Sequence, residues 1–241
     1  MTKIAKNFSA HAQSYDEFAK IQPLVAARLA ATLSLKPQRI LEIGCGTGHL
    51  SAHLLKKFPD AEIVLSDISP AMLALCQQRF EGRPSYLCCD GASLPQDLGH
   101  FDLIVSSLAL QWVEDLGGCL RHLNAHLQPH GRLAVSILGN ENFPEWASLL
   151  RQFGAVPGLH YYPSLENFPW PDSKKGQLKQ EFLQEQYKNG AAFLKALKKI
   201  GASTPRPDHR PISTVKMRQI LKATEQGFKV TYHVLYADLT L

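Results

Sequence analysis

Three glycines between Glu42 and Gly48 could bring a ligand against bare backbone. The segment Glu42-Ile43-Gly44-Cys45-Gly46-Thr47-Gly48 ends a short apolar run. Glycine adopts positive φ at little cost and has no side chain to block a ligand. In open α/β sheets, ligands bind beyond the carboxyl ends of the strands, where such a turn would lie. His49 stands where a dinucleotide-binding Gly-x-Gly-x-x-Gly motif has its third glycine, which counts against NAD or FAD.

Three more residues are predicted to follow neighbouring strands at the same edge. Asp67, 19 residues after Gly48, could accept hydrogen bonds from both ribose hydroxyls and would repel a 2′-phosphate. Asp90 is placed to accept from an adenine amino group, and Leu108 could line the site. Either aspartate alone is weak support, because aspartate after a strand is commonly a cap or turn former. Together with the glycines they predict a nucleoside-binding edge.

The elements that would position these residues alternate between strands and helices. Short apolar runs without alternation, typical of strands buried on both faces, lie at 40–43, 63–66, 85–89, 103–106 and 133–137. Leucines at three- or four-residue spacing, at Leu116, Leu120, Leu123 and Leu127, predict an intervening helix. Pro129–Gly131 predicts a turn before the fifth strand. The alternation over 38–138 predicts a doubly wound, mostly parallel α/β sheet.

The pattern changes after residue 138. A helix near 145–153, a proline- and aromatic-rich loop at 160–171 and a strand at 178–187 are predicted, followed by helices at 191–200 and 213–224 and a strand at 228–236. We expect one domain over 1–241. Residues 190–226 would form a basic helical insertion before the last strand, lying as a lid over the ligand edge.

Charge and composition exclude several classes of protein. The net charge is +5, but 188–222 holds nine Lys and Arg against one acid, so this window is +8 and the remainder −3. Such a face favours an acidic partner, although a solvated helix surface would give the same pattern. Without a recognisable aromatic stacking platform, nucleic acid is not the expected partner. No apolar run reaches membrane-spanning length and no secretory signal is evident, so we expect a soluble, cytoplasmic protein without membrane contact.

The five cysteines are an odd number and form no Cys-x-x-Cys pair. They predict reduced core thiols rather than zinc ligands or a redox centre, and no metal site is expected. Five histidines are interpreted as structural residues rather than bases: His11, His49, His53, His122 and His233. His49 is the most interesting of them, since it follows Gly48 at a helix N-terminus, where a neutral imidazole is favoured.

The glycine turn, with 66–73 and 90–95, resembles the class I S-adenosylmethionine-dependent methyltransferases. The resemblance implies a seven-stranded, Rossmann-like sheet and S-adenosylmethionine as cofactor. It also implies that Gly44, Gly46 and Gly48 surround the methionine moiety, while Asp67 binds the ribose. Two further roles follow from it: Ile68 packs against adenine and Asp90 meets the adenine amino edge. The sequence departs from the family pattern at Glu42, a frequent aspartate, and at Ser93, where a second acid is common.

Segments near both ends resemble a subfamily, the malonyl-acyl-carrier-protein O-methyltransferases of biotin synthesis. They are 8–16, 19–22, 106–112, 194–202 and 230–232. The resemblance implies methylation of the free carboxylate of a malonyl thioester on acyl carrier protein, or on CoA, to give the ester that primes pimelate and biotin synthesis. It also implies that N-terminal helices within 1–36 cover the cofactor.

This reaction sets clear demands on the site. A malonyl carboxylate is ionised at neutral pH, so it needs no general base, and water exclusion favours a step in which two charges disappear. Tyr15 is the predicted catalytic residue, orienting the methionine end or the carboxylate, unless it only packs its helix onto the sheet. Gln111 and Trp112 would line the acyl pocket unless they too serve packing.

Cations would complete the substrate site. Arg206 and Arg210 are the candidates for a bidentate carboxylate clamp. With Lys198 and Lys199 they would also bind the acidic carrier protein.

Two other readings stay open at this point. The nucleophile could be carbon, nitrogen or oxygen of a quinone or other small metabolite, and carbon alkylation would need a base and a pH-dependent rate. The chain could also bind the cofactor for assembly or regulation without turnover. The sequence makes no prediction of oligomeric state.

Overall fold

The computed structural model describes residues 2–171, 176–206 and 208–240. Fifteen α-helices and β-strands organise these residues. They are α1 Lys3–Phe18, α2 Ile21–Thr32, β1 Arg39–Ile43, α3 His49–Lys57, β2 Glu62–Asp67, α4 Pro70–Arg79, β3 Ser85–Cys88, β4 Phe101–Ser107, α5 Leu116–Ala125, β5 Leu127–Leu138, α6 Pro144–Gln152, β6 Gln177–Tyr187, α7 Gly190–Lys199, α8 Thr214–Lys222 and β7 Phe228–Thr240. Short 3-10 turns lie at Gln96–Leu98 and Leu110–Trp112.

All seven strands form one mixed sheet in the order β3-β2-β1-β4-β5-β7-β6. β1 to β5 pair in parallel, and β7 runs antiparallel to both β5 and β6. Parallel strands place their carboxyl ends at one edge, so the turns after β1, β2, β3 and β4 meet there. The prediction of a doubly wound, mostly parallel α/β sheet is confirmed.

The apolar runs divide between two cores, one on each face of the sheet. Ile40, Leu65 and Leu103 pack with helices α2, α3 and α4. Leu41 and Ile104 point to the other face and pack with α5. Because successive strand residues alternate between faces, a continuous apolar run supplies both cores.

Local signals set the helix starts. Pro70 opens α4 after Ser69, whose hydroxyl accepts from the Met72 backbone N–H at 3.2 Å, as expected for an N-cap. Asp115 caps α5 in the same way through the Gly118 N–H at 2.9 Å.

Two details of the prediction around β5 are wrong. Leu127 does not continue the α5 face, because α5 ends at Ala125 and Leu127 pairs with Phe101 as the first residue of β5. The turn at Pro129–Gly131 lies inside β5 rather than before it. His130 has φ +65°, and the pairing with β4 shifts register between Phe101 and Leu103, so the turn forms an irregularity in a longer strand.

Helices α1 and α7 pack together over the carboxyl edge. The Ser14 hydroxyl donates to the Lys199 carbonyl at 2.9 Å, and Asn7 Nδ2 donates to Thr204 Oγ1 at 2.6 Å. The Ser9 hydroxyl lies 2.8 Å from the Ser69 hydroxyl, which attaches α1 to the start of α4. Within the described residues, none of the helices combines the length and apolarity needed to span a bilayer.

Candidate active site

The glycine turn joins β1 to α3 with three residues of positive φ: Gly44 (+70°), Gly46 (+55°) and Gly48 (+95°). Side chains at the outer two would collide with packed neighbours. A Cβ at Gly44 would lie 2.3 Å from the Ala109 Cβ, and one at Gly48 would lie 2.4 Å from the Phe80 ring. A Cβ at Gly46 would meet nothing within 4 Å. Gly46 therefore leaves space for a ligand, while Gly44 and Gly48 permit close packing.

Asp67 ends β2 and faces the same cavity as Gly46. Its Oδ2 accepts from the Gly46 N–H at 2.8 Å, and its Oδ1 accepts from the Ser69 N–H at 2.7 Å. Burial raises the pKa of Asp67, and these backbone donors offset part of that rise. The carboxylate is thus fixed in orientation, with remaining lone pairs for a ligand.

Most of the predicted cofactor residues lie together. Gly44, Gly46, Asp67, Ile68 and Leu108 line a first cavity. A second, adjoining cavity is lined by residues that include Gly44, Ile68 and Asp90. Gly48 lines neither cavity, and packs on Phe80 instead.

Two of these residues have well-defined backbone positions. The Asp90 Oδ1 accepts from the Ala92 N–H at 2.9 Å, so Asp90 forms a turn as well as a cavity wall. Leu108 has φ +50°, and its N–H donates to the Ser136 carbonyl at 2.8 Å. A non-glycine residue held in this region is uncommon and is typical of a functional site.

Helix α1 closes the first cavity with Tyr15. Burial raises the pKa of the Tyr15 phenol, and the carboxylates of Asp67 and Asp16 raise it further. Tyr15 is therefore a protonated hydrogen-bond donor at neutral pH. Tyr15 also lines a third cavity, under α1 and α7, and so stands between the two cavities.

Asp16 attaches α1 to the glycine turn, a role that the sequence did not indicate. Its Oδ1 accepts from the Thr47 hydroxyl and lies 3.1 Å from His49 Nε2. Burial lowers the pKa of His49, more than the nearby Asp16 raises it. This agrees with the expected neutral imidazole. A recognisable signal for Asp16 was lacking, because its partners are 31 and 33 residues away in the chain.

Glu42 lines the first cavity from below the glycine turn and is 1% exposed. Its Oε2 accepts from the Ser51 hydroxyl at 2.7 Å. Burial raises the pKa of Glu42 to about 8, against the lowering effect of Ser51. A cationic group bound in the cavity would favour the ionised form.

The third cavity, named the acyl cavity after the acyl pocket that the sequence predicts, lies under α1 and α7. Polar lining groups are Tyr15, Gln22, Gln111, Tyr162 and Tyr232. The remaining walls are apolar or aromatic: Phe8, Leu108, Trp112, Leu138, Phe143, Leu197, Ile200 and Ala202. Gln111 and Trp112 both line this cavity, and their contact with an acyl group stays a prediction.

The predicted cations lie outside these cavities. Lys198 and Arg210 are exposed, and Lys199 is half-buried. Arg206 Nε lies 2.9 Å from Asp208 Oδ1, and its guanidinium sits 5.0 Å from the Tyr161 ring centre. Of the described residues that line the three cavities, none is Lys or Arg. Lys198 and Lys199 nevertheless share the end of α7 with Leu197 and Ile200, which do line the acyl cavity.

Comparisons with known proteins find similar methyltransferases. Residues 40–131 match a family described as a methyltransferase domain. The malonyl-[acyl-carrier protein] O-methyltransferase of Magnetococcus marinus is 39% identical over 99% of this chain and 92% of its own. The protein of that name from Priestia megaterium is 33% identical over 98% and 96%.

A solved structure shows the same fold at low identity. It is the Haemonchus contortus phosphoethanolamine N-methyltransferase 2 in complex with S-adenosyl-L-methionine. The two are 17% identical with a TM-score of 0.58, over 96% of this chain and 57% of that one. From the two full-length relatives, the chain belongs to the malonyl-[acyl-carrier protein] O-methyltransferase family.

Proposed function

We propose that the protein transfers a methyl group from S-adenosylmethionine to the free carboxylate of a malonyl thioester on acyl carrier protein. The product is the methyl ester that primes pimelate and biotin synthesis. One observation supports this most directly: the acyl cavity adjoins the glycine-turn cavity at Tyr15, so an acyl group and a nucleoside can lie on either side of one phenol.

The residues around the glycine turn fit the cofactor. Gly46 leaves the space that a Cβ would fill, Asp67 offers acceptors for ribose hydroxyls, and Asp90 with Ile68 borders the adjoining cavity. The carboxyl of Glu42 can balance a cationic amino-acid portion. When bound, S-adenosylmethionine supplies a methyl group activated by its sulfonium, whose transfer to a carboxylate oxygen releases no proton.

The chain's own groups then have to orient the substrate carboxylate and exclude water from the site. Tyr15 donates a hydrogen bond from a phenol whose pKa is raised, so it is not a base at neutral pH. His49, whose imidazole is neutral, lines the first cavity and lies beside Asp16 of α1. The apolar walls of the acyl cavity remove water from the ionised carboxylate, which favours a reaction that neutralises it. Holding the carboxylate oxygen about 3 to 3.5 Å from the methyl carbon would supply the remaining rate enhancement.

The basic end of α7 is the proposed docking surface for the acidic carrier. Lys198 and Lys199 lie between cavity-lining Leu197 and Ile200, so a docked carrier would hold its acyl chain next to the cavity. We place Arg206 and Arg210 at the edge of the same surface. A cytoplasmic location is part of the proposal, and all five cysteines being free thiols is consistent with a reducing compartment.

The decisive experiment incubates the purified protein with S-adenosylmethionine and acyl carrier protein bearing malonyl, glutaryl or acetyl groups. Intact mass spectrometry should show a gain of one methyl on the malonyl form, less on the glutaryl form and none on acetyl, which has no carboxylate. Methylation of acetyl carrier protein, or of none of the three, would refute the proposal.

A further inference from the structure

The loop between α6 and β6 is rich in proline and aromatic residues, and the cofactor site does not explain it. It is attached at three points over the carboxyl edge. The Pro163 carbonyl accepts from the Asn140 N–H at 2.9 Å, and His160 Nε2 lies 2.9 Å from the Thr204 carbonyl. The Gly158 carbonyl accepts from a backbone N–H of the segment after α7 at 3.1 Å. The loop is thus fixed to the structure around the acyl cavity.

A chain of aromatic contacts links this loop to α1. Phe8 meets Trp112 edge-to-face at 5.6 Å between ring centres, and Trp112 meets His160 at 5.3 Å. His160 in turn lies 6.3 Å from Tyr162. Such contacts define ring positions as well as burying area. The position of Tyr162 is therefore set from both α1 and the loop.

Tyr162 lines the acyl cavity, and no hydrogen bond joins its hydroxyl to another of the described residues. The neighbouring lining residue Tyr232 differs, because its hydroxyl lies 3.0 Å from the Tyr187 hydroxyl. Burial raises the pKa of Tyr162, so its phenol stays protonated. Tyr162 can therefore donate a hydrogen bond into the cavity.

We propose that the Tyr162 hydroxyl donates a hydrogen bond to the malonyl carboxylate and so selects acyl groups that end in a free acid. The inference rests on the proposed function. A carboxylate that enters an apolar cavity loses water hydrogen bonds, and the loss is costly unless donors replace them. Tyr162 and Tyr15 border the same cavity, so each phenol can donate to one of the two carboxylate oxygens.

Neutral donors suit this reaction better than a cation would. The carboxylate loses its charge when it becomes an ester, so an ion pair would stabilise the substrate more than the transition state and slow the step. A phenol orients the carboxylate with a weaker charge interaction. Tyr162 is thus assigned as a specificity-determining residue, distinct from the docking cations on α7.

The test compares Tyr162→Phe with wild type in binding malonyl-CoA and its methyl ester, each titrated into protein saturated with S-adenosylhomocysteine. We expect the variant to bind malonyl-CoA about 10-fold more weakly, the loss of one hydrogen bond to a charged group. Affinity for the methyl ester and for S-adenosylhomocysteine should not change. The matched control is Tyr161→Phe, whose side chain is 80% exposed, and it should behave as wild type.

The possible results separate cleanly. Equal weakening for the acid and the ester would mean that Tyr162 only packs the loop, and unchanged affinity for both would mean that it does not touch the carboxylate. Either result overturns the inference. A wild-type protein that methylates malonyl carrier protein in either case leaves the proposed function intact, whereas an inactive wild type refutes that function itself.

Discussion

Tyr15 separates the two halves of the proposed active site, which are built in different ways. On its cofactor side, the glycine turn, Asp67 and Asp90 come from consecutive strand ends, and backbone N–H groups fix them. On its acyl side, the walls come from α1, the 3-10 turn after β4, the loop after α6, helix α7 and β7. Aromatic packing rather than backbone hydrogen bonding positions many of these side chains.

The difference predicts how each half responds to substitution. A site formed by the backbone tolerates few substitutions, because its turn needs residues that adopt positive φ without strain. A site built from packed side chains can lose one contact and keep the rest. We therefore expect large, general losses on the cofactor side and smaller, substrate-selective losses on the acyl side.

Gly44→Ala should give the largest effect. The new Cβ would collide with Ala109 at 2.3 Å and place a side chain at φ +70°. Overpacking and left-handed strain together should lower the free energy of unfolding by about 2–5 kcal/mol. Calorimetric binding of S-adenosylhomocysteine should be lost. Urea unfolding and titration calorimetry measure the two quantities.

Two other glycines serve as controls. Gly46→Ala has strain without collision, so it should cost only about 1–2 kcal/mol of stability while its methyl group blocks the cofactor. In Gly82→Ala the new Cβ, at φ +81°, would also meet nothing within 4 Å. This variant should lose a similar amount of stability and bind S-adenosylhomocysteine as wild type does. If Gly46→Ala bound S-adenosylhomocysteine normally, the assignment of that space to the cofactor would be wrong.

Asp67→Asn should weaken binding of S-adenosylhomocysteine by about 10- to 100-fold. The substitution removes the charge that is proposed to accept from ribose. It also turns an amide nitrogen toward one of two backbone donors, Gly46 N–H or Ser69 N–H. Asp60→Asn, at an exposed turn, is the matched control. An unchanged dissociation constant for Asp67→Asn would remove the ribose role.

The sequence predicted, apart from Gly48, which residues meet around the glycine-turn cavities, and the reason is physical. Its residues lie within short segments, where a buried strand, a glycine turn and an aspartate after the next strand are recognisable without tertiary information. The burial of strands on two faces followed from apolar runs such as 40–43. Errors fell where two local patterns overlap, as at Leu127, which fits the helical spacing but pairs in β5.

The acyl side could be predicted only in part. Gln111 and Trp112 follow β4 directly, so their approach to the site was foreseeable. Tyr162 is 147 residues from Tyr15, and its place depends on a loop whose path no local spacing specifies. Likewise, the charge pattern identified Arg206 but could not indicate its ion pair with Asp208 and its contact with Tyr161.

Tyr15→Phe tests the boundary between the two halves. We expect kcat on malonyl-CoA to fall about 10-fold, because one orienting hydrogen bond is lost. The affinity for S-adenosylhomocysteine should change far less. In wild type saturated with S-adenosylmethionine, kcat should be flat between about pH 7 and 9, because the raised pKa keeps Tyr15 protonated and the lowered pKa keeps His49 neutral. Glu42, whose pKa is raised to about 8, stays ionised over this range only because the bound cofactor is a cation.

A pH-rate profile with Tyr161→Phe as control decides the role of Tyr15. A wild-type rate that rises with pH and becomes flat in Tyr15→Phe would make Tyr15 a general base. That outcome would favour a carbon nucleophile, as in methylation of a small metabolite, over a carboxylate.

Charge reversal at the end of α7 should have the smallest and most selective effect. In the double variant Lys198→Glu, Lys199→Glu, we expect kcat/KM for malonyl carrier protein to fall about 5- to 10-fold at low salt. The loss on malonyl-CoA should be smaller, because CoA has no protein surface to dock on α7. Arg218→Glu with Lys222→Glu on α8 makes the same change in net charge away from the residues that line the acyl cavity.

The salt dependence distinguishes docking from damage to the cavity. Raising the ionic strength to about 1 M shortens the screening length to about 3 Å, so the difference between the α7 variant and wild type should shrink. Equal losses for the α7 and α8 variants would mean that overall charge, not this surface, attracts the carrier. Equal losses on carrier and CoA substrates would instead place the effect in the cavity, because Lys198 and Lys199 lie between Leu197 and Ile200, which form its wall.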